Sequence, residues 1–191
     1  MKSPVPFLSD DEYSRLPLPE RWLMQARSQV GVREATGHND GESIDKYLVA
    51  AGKPAGSRLP YCAAGQFWCA LNAGAKALRL PKYPAGVAEW RRWATETGRR
   101  YSVPQRGRLG YWTVRTDKGE PGHLFMVAGV LPFGVLRCIS FNSSEDGSRD
   151  GGGVVQHMVT VKGMQKRSFW GFIDVLGLDA PIMARVEGSQ R

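Results

Sequence analysis

One cysteine, one histidine and one asparagine, in that order along the 191-residue chain, are the residues best suited to chemistry. Cys62 follows Pro60-Tyr61 and begins an alanine-rich apolar segment, His123 follows a Pro-Gly turn, and Asn142 comes just after a β-like run. The unpaired N–H groups and the dipole at a helix amino terminus stabilise a thiolate, and a nearby imidazole lowers a thiol pKa further. These residue types predict nucleophilic catalysis, with Cys62 as nucleophile, His123 as general base and Asn142 orienting the imidazole.

Each of these residues also has a simpler interpretation. Cys62 is compatible with a buried core thiol, because free cysteines are among the most buried residues. His123 is compatible with a solvated turn histidine, and Asn142 with a turn before Ser143-Ser144. Ser140, two residues before Asn142 on the same strand face, is a weaker candidate for a supporting hydroxyl.

The remaining cysteines and histidines are weaker candidates for chemistry. Cys69 lies two helical turns beyond Cys62, and Cys138 lies within a strand pattern, so both are predicted to be core residues. His38 is in a glycine-flanked loop, and His157 is in a strand that follows three glycines. No His/Cys cluster has the spacing of a zinc site, so we expect no metal and no other cofactor. Three cysteines without repeated CxxC pairs also argue against a disulfide framework.

The elements that must position these residues change character halfway along the chain. Helical spacing of apolar residues predicts four helices, over 19–30, 42–51, 62–78 and 87–97. Period-two and β-rich runs predict five strands, over 110–114, 124–130, 135–141, 154–161 and 169–175. Helices followed by sequential strands predict an α+β fold, with the amino-terminal helices packed on an antiparallel sheet of about five strands. We expect a flexible lead-in over 1–18, one domain over 19–176 and a tail over 177–191.

Composition limits the function classes. The chain has 26 Lys+Arg against 18 Asp+Glu, a net charge of +8, which favours an anionic partner. Its longest apolar run, 124–136, is interrupted by glycine and proline and is too short to span a bilayer, so no membrane insertion is expected. Basic residues are not interleaved with aromatic residues in a nucleic-acid-binding pattern, so no nucleic acid is expected. Seven arginines near the helix-to-sheet junction either attract an anionic ligand or form a solvated face: Arg91, Arg92, Arg99, Arg100, Arg106, Arg108 and Arg115.

Five segments resemble, in the same order, the CHAP family of cysteine- and histidine-dependent amidohydrolases/peptidases, papain-like enzymes that hydrolyse bacterial peptidoglycan. The match spans about residues 22–175. The first segment is 26–34 with 39–48, and the second is the nucleophile segment Pro60-Tyr61-Cys62-Ala63-Ala64. The other three are the turn 104–107 with Tyr111-Trp112, the base segment 122–130, and 139–154 with its glycine-rich turn. Five matching segments in order are more specific than any one of them. The resemblance implies a papain-like/CHAP fold.

The resemblance also implies an activity. It assigns Cys62 as nucleophile, His123 as general base and Asn142 as the orienting group, and it leads us to expect substrate contacts from Asn39, Tyr61 and Trp112. The implied reaction cleaves an amide bond of peptidoglycan through a thioester acyl-enzyme. The bond is either that between N-acetylmuramic acid and L-alanine or one within the stem peptide. The chain departs from the family at Ser140, where many relatives carry a carboxylate, and at Leu124-Phe125, which is bulkier than usual.

Two further expectations accompany this assignment. The protein is expected to act as a monomer on the bacterial cell wall, as a phage lysin or an antibacterial effector, and to stay in the cytoplasm until it is released or secreted without a signal peptide. The alternative function is a catalytically inactive module that binds cell wall or another polyanion on the same fold.

Overall fold

The computed structural model describes residues 2–144 and 152–180. Within these residues the α-helices are α1 (Asp10–Arg15), α2 (Leu18–Ser28), α3 (Glu42–Ala50), α4 (Cys62–Asn72), α5 (Val87–Glu96) and α6 (Val161–Met164). The strands are β1 (Arg100–Tyr101), β2 (Leu109–Thr113), β3 (Gly122–Leu131), β4 (Val135–Ser143), β5 (Gly153–Thr160) and β6 (Phe169–Ile173). No helix in the described ranges has both the length and the apolar character needed to cross a membrane.

The six strands form one antiparallel sheet in the order β1-β6-β2-β3-β4-β5. The predicted α+β class, with helices first and an antiparallel sheet second, is therefore confirmed. Each of the five predicted strands corresponds to one of β2 to β6. Sequence reasoning missed only β1, because a strand of two exposed residues has no period to detect.

Both faces of the sheet are covered, and alternate residues of each strand point to opposite faces. The face against α2 to α5, called the helix face, carries the larger core cluster, to which the sheet contributes Leu109, Tyr111, Leu124, Met126, Ala128, Ile139, Phe141, Val154 and Ile173. The opposite face, called the far face, carries a smaller cluster of Phe125, Val127, Leu136, Cys138, Met164 and Phe172. Because β3 is covered on both faces, it is almost continuously buried.

Helix α4 is seated closely against β4. A Cβ atom at Gly65 would lie 2.1 Å from Cδ1 of Phe141, so only glycine allows this approach. One residue further on, the buried Gln66 side chain donates to the Ile139 carbonyl at 3.2 Å and accepts from Trp22 Nε1 at 3.3 Å. These contacts fix how far α4 extends along β4 and therefore where its amino terminus lies.

Two boundaries differ from the sequence prediction. Helix α4 ends at Asn72 rather than at residue 78, because Gly74 adopts a φ of 94° and a separate 3-10 turn follows at Ala77–Arg79. The lead-in over 1–18 contains the ordered helix α1, whose Ser9 and Glu12 form a reciprocal capping box. Tyr13 of α1 is completely buried and its hydroxyl donates to the Arg21 carbonyl at 3.2 Å, which corrects the expectation of a flexible lead-in.

The start of the predicted tail is also packed. Leu178 is buried in the core cluster of the helix face, and its carbonyl accepts a hydrogen bond from the backbone N–H of Lys76 at 2.9 Å. Asp179 forms an ion pair with the buried Arg21 of α2. The domain therefore continues through residue 180, and the rest of the predicted tail lies outside the described residues.

Candidate active site

Cys62 is the first residue of α4. The preceding residue, Tyr61, provides no side-chain cap, and the first turn contains no acidic residue. The positive end of the helix dipole therefore faces the sulfur without a competing negative charge from the helix itself. Only 5% of Cys62 is exposed, so access to the thiol is narrow.

The other two thiols are core residues, as predicted. Cys69 lies in the cluster on the helix face and Cys138 in the cluster on the far face, and both are completely buried. Burial raises the pKa of each thiol well above its ordinary value, because a thiolate loses its hydration there. Neither residue is suited to act as a nucleophile at neutral pH.

The three predicted catalytic residues lie at the same end of the sheet. Phe125 of β3 pairs with Ser140 of β4, so the first residues of antiparallel β3 lie beside the last residues of β4. Helix α4 begins at this end, since its Gly65 is seated on Phe141. The structure therefore brings the amino terminus of α4, the start of β3 and the end of β4 together.

His123, the second residue of β3, is 3% exposed and lies among aromatic rings. Its ring centroid is 6.0 Å from that of Trp112, its partner on β2, and 6.3 Å from that of Phe125. A Cβ atom at Gly122 would lie 2.4 Å from the Trp112 carbonyl oxygen, so glycine is required before the histidine. Strand alternation puts the imidazole on the same side of β3 as Phe125. His123 and Cys62 lie at the same end of the sheet, where β3 and α4 both begin.

Asn142 has an unusual backbone conformation at the end of β4. Its φ is 53°, and it lies in an irregularity of the β4–β5 pairing between Ser140 and Ser143. The residue is 3% exposed, and its Oδ1 atom is buried without a hydrogen-bond partner among the described residues. A buried amide oxygen of this kind can accept a proton from an imidazole N–H, which is the predicted role.

Glu34 connects the loop before α3 to the residue before the nucleophile. The Tyr61 hydroxyl donates to Glu34 Oε1 at 3.1 Å, and the backbone N–H of Asn39 donates to Glu34 Oε2 at 2.9 Å. The Asn142 backbone N–H donates to the same Tyr61 hydroxyl. Burial, and next the charge of Glu34, raise the Tyr61 pKa far above its ordinary value, so the hydroxyl stays protonated.

These contacts correct one predicted role and add another. Tyr61 is completely buried, so it supports the site rather than contacting a substrate. Sequence reasoning missed the positioning role of Glu34. The available signal was that Glu34 is a carboxylate within a segment that resembles the CHAP family. Its partner, Tyr61, lies 27 residues further along the chain, so the contact could not be read from local sequence.

A cavity of about 500 Å³ opens beside the loop that leads into α4. It is lined by Glu34, Gly37, His38, Asn39 and Arg58. The Asn39 side-chain amide donates to the Arg58 carbonyl at 3.4 Å, which joins the two loops across the cavity. Asn39, predicted to bind substrate, therefore lines a cavity, and the lining of this cavity does not include Cys62, His123 or Asn142.

Backbone strain is concentrated around this end of the sheet. Among the described residues, four non-glycine residues have a positive φ: Asn39 (55°), Arg58 (52°), Phe133 (60°) and Asn142 (53°). All but Phe133 lie in segments that meet at the amino terminus of α4. Such conformations cost free energy and persist mainly at functional sites, which supports this region as the site.

Ser140 has a buried partner that the sequence did not indicate. Its Oγ atom lies 2.7 Å from Nε2 of His157, and both residues are buried. His157, a weak candidate for chemistry from the sequence, thus contacts the serine at which the chain departs from the CHAP pattern. The β4–β5 register that creates this contact, in which Cys138 pairs with His157, was not evident from the sequence.

Trp112, the third predicted substrate-binding residue, is half-buried and packs on the far face. Its ring is 4.5 Å from the guanidinium carbon of Arg167, a cation–π contact. Substrate contact by Trp112 would therefore occur on the far face, away from the cavity beside Asn39. The two predicted substrate-binding residues do not line one cavity.

Many arginines considered for an anionic surface bind within the protein. Arg91 pairs with Glu120 at 2.7 Å, and Arg106 pairs with Glu20 at 2.6 Å. Arg99 donates to the carbonyls of Asp174 and Leu176 at 3.3 and 2.8 Å. These contacts join α5, α2 and the loops to the sheet, so the structural role predominates over a free anion-binding role.

No group of three or more potential metal ligands occurs in the ranges 2–144 and 152–180. The part of the CHAP resemblance that falls on 145–151 lies outside the described residues. No protein-family model matches the chain, and no curated protein or solved structure matches it either. The functional argument therefore depends on the geometry of the site.

Proposed function

We propose that the protein is a papain-like cysteine hydrolase of the CHAP type that cleaves amide bonds in bacterial peptidoglycan. The observation that supports this most is the meeting of three segments at one end of the sheet, where the Cys62 helix terminus, the start of the His123 strand and the strained Asn142 lie together. Positive φ values at non-glycine residues cluster at functional sites, which supports the proposal.

In the proposed reaction, His123 removes the thiol proton and Cys62 attacks the carbonyl carbon of the scissile amide. The backbone N–H of Cys62, at the amino terminus of α4, donates to the developing oxyanion. The tetrahedral intermediate expels the amine, which takes the proton from the His123 imidazolium, and a thioester remains. Water, deprotonated by His123, then hydrolyses the thioester, releases the carboxylate and regenerates the thiol.

Asn142 is the proposed orienting residue for His123. Its buried Oδ1 atom can accept the second imidazole N–H, which would hold the ring in one tautomer. The Trp112 and Phe125 rings beside His123 restrict the orientation of the imidazole further. A neutral amide stabilises an imidazolium less than a carboxylate does, so this base depends strongly on correct orientation.

The substrate would enter the cavity between Asn39 and Arg58. Arg58 is exposed, and its contact with Asp40 is long at 3.9 Å, so its guanidinium remains able to bind a carboxylate of the stem peptide. Asn39 supplies amide donors and acceptors next to it. This polar cavity suits a peptide better than it suits an apolar ligand.

The test is release of soluble fragments from purified peptidoglycan, with mass analysis of the muropeptides. Cys62→Ala should abolish release, whereas the matched variant Cys69→Ala, altered two turns along the same helix, should retain it if it folds. New termini identify the bond as the muramoyl–L-alanine amide or a stem-peptide bond. Release by folded Cys62→Ala at the wild-type rate would falsify the proposal.

The alternative is a catalytically inactive module that binds cell wall or another polyanion. The observation that favours it is the 5% exposure of Cys62, which restricts access to the thiol. This alternative predicts that the protein sediments with purified peptidoglycan, that Cys62→Ala binds equally well, and that neither protein releases fragments.

A further inference from the structure

A second cavity, of about 190 Å³, lies on the far face and has no role in the proposed hydrolysis. It is bounded by β5, the short helix α6 and the Trp112 ring from β2. Its polar lining comes from His157, Thr160 and Arg167, and its apolar lining comes from Trp112, Met158, Val159 and Met164. The cavity therefore combines a basic side with an apolar side.

Arg167 is the cationic group of this cavity. It is exposed, stacks on Trp112 at 4.5 Å and forms no ion pair with a carboxylate in the described ranges. Stacking holds the guanidinium plane while its N–H groups remain available at the edge. It is therefore pre-oriented to bind an anionic group.

The segment that forms most of the cavity lining carries only positive charges. The segment from Gly152 to Ile173 contains no aspartate or glutamate, but it contains Lys162, Lys166 and Arg167. His157 lies at the base, where its Nε2 atom is held 2.7 Å from Ser140 Oγ. An anion that enters here meets a fixed polar wall and no acidic side chain from this segment.

The size of the cavity suits a small ligand group. Its volume corresponds to about six water molecules at roughly 30 Å³ each, which is room for one small residue. Val159 and Met164 offer apolar contact to a short aliphatic side chain, while Arg167 offers two parallel donors to a carboxylate. These requirements are met by the last residue of a peptide that ends in alanine.

We propose that this far-face cavity is a binding subsite for the free carboxylate of a peptide whose terminal residue is small and aliphatic. The lining of the subsite does not include Cys62, His123 or Asn142, although Trp112 borders both the subsite and the His123 ring. The subsite therefore remains if the proposed hydrolysis proves wrong, and a binding measurement tests it separately.

The probes are N-acetyl-dialanine and its carboxyl-terminal amide, titrated into the full chain and followed by calorimetry and by amide NMR shifts. The free carboxylate should bind about tenfold or more tightly than the amide, a difference of about 1.4 kcal/mol, because hydrogen bonds to a charged group are stronger than those to a neutral one. Shifts should concentrate on β5, α6 and Trp112. Equal affinity for the two probes, or absence of saturable binding at millimolar concentration, overturns the proposal.

The variants compare two neighbouring basic residues. Arg167→Gln should remove the preference for carboxylate, whereas Lys166→Gln, which changes an exposed charge outside the cavity lining, should alter affinity by less than about twofold. Equal losses in both variants would indicate non-specific attraction and overturn the subsite. Displacement of the bound peptide by equimolar inorganic phosphate would also overturn the subsite, because it would show that the cavity binds anions in general.

Discussion

The Tyr61 hydroxyl donates a hydrogen bond of 3.1 Å to Glu34 and thereby connects the residue before the candidate nucleophile to the loop that carries Asn39. The same hydroxyl accepts the Asn142 backbone N–H. One buried phenol therefore connects the three segments that form the candidate site. The contribution of this hydroxyl to the site can be separated from its contribution to core stability, because Tyr13 is a comparably buried tyrosine that can serve as a control.

Tyr61→Phe should lower both stability and activity. The variant leaves the Asn142 N–H and one Glu34 oxygen without this partner, which costs about 1–3 kcal/mol and lowers Tm by about 2–10 °C. Thermal unfolding and muropeptide release measure the two effects. Tyr13→Phe is the matched control, since Tyr13 is equally buried and its hydroxyl makes two hydrogen bonds far from the site. It should lose comparable stability but keep its activity, and equal activity in the two folded variants would contradict the positioning role.

Asn142 allows the backbone to be separated from the side chain. At a φ of 53° glycine has no steric penalty, whereas alanine costs about 1 kcal/mol or more. The Tm of Asn142→Gly should therefore be a few degrees higher than that of Asn142→Ala. Both variants lose the carboxamide, so both should lose activity by about tenfold or more, equivalent to about 1.4 kcal/mol. Circular dichroism during heating and initial rates of fragment release measure these quantities.

Retained activity in Asn142→Gly would assign Asn142 a backbone role only. The same result would transfer the orienting function to another group on the far face. Ser140, which contacts His157, is the available alternative. It is the cross-strand partner of Phe125, whose ring lies beside His123. Ser140→Ala would then lose the activity that Asn142→Gly keeps.

The extent to which sequence predicts this molecule depends on the range of each interaction. Helices α2 to α5 and the five longer strands follow from local apolar periods, and their predicted bounds agree with the structure to within a few residues, except at the end of α4. The short helices α1 and α6 were not predicted. The roles of Cys69 and Cys138 also follow locally, from their apolar neighbours. The end of α4 was missed although Gly74 is a typical helix stop signal, because the alanine-rich sequence continues beyond it.

Side-chain partners across the sheet could not be predicted in this way. The Ser140–His157 contact depends on the β4–β5 register, which a long intervening segment leaves undetermined in sequence. The Tyr61–Glu34 contact depends on how two loops approach one helix terminus. Strand alternation in β3, which puts His123 beside Phe125 on the far face, could be read from the sequence, but its relation to α4 could not.

Thiol reactivity separates Cys62 from the two core cysteines. Iodoacetamide at pH 7–8 should label one thiol per folded chain, at Cys62, since burial raises the pKa of Cys69 and Cys138 and excludes the reagent. Intact mass and peptide mapping count and locate the label, and denaturant should expose all three thiols. Cys62→Ala is the control and should take up no label when folded. Labelling of Cys69 first, or of no thiol, would count against a reactive Cys62.

Ionisation of Glu120 should make part of the free energy of unfolding depend on pH in the acid range. Burial alone would raise the pKa of this carboxyl, but hydrogen bonds from Arg91 and Thr113 and the charges of Arg91 and Arg115 hold it below the ordinary 4.5. Its stabilisation is therefore complete above pH 4.5 and is lost as pH falls through the lowered folded value. Glu120→Gln should lower Tm at pH 7 and flatten the decline of Tm between about pH 5 and 3. Glu89→Gln, which alters an exposed pair with Arg92, should leave the slope unchanged. An equal acid slope in wild type and Glu120→Gln would show that other carboxyls control it.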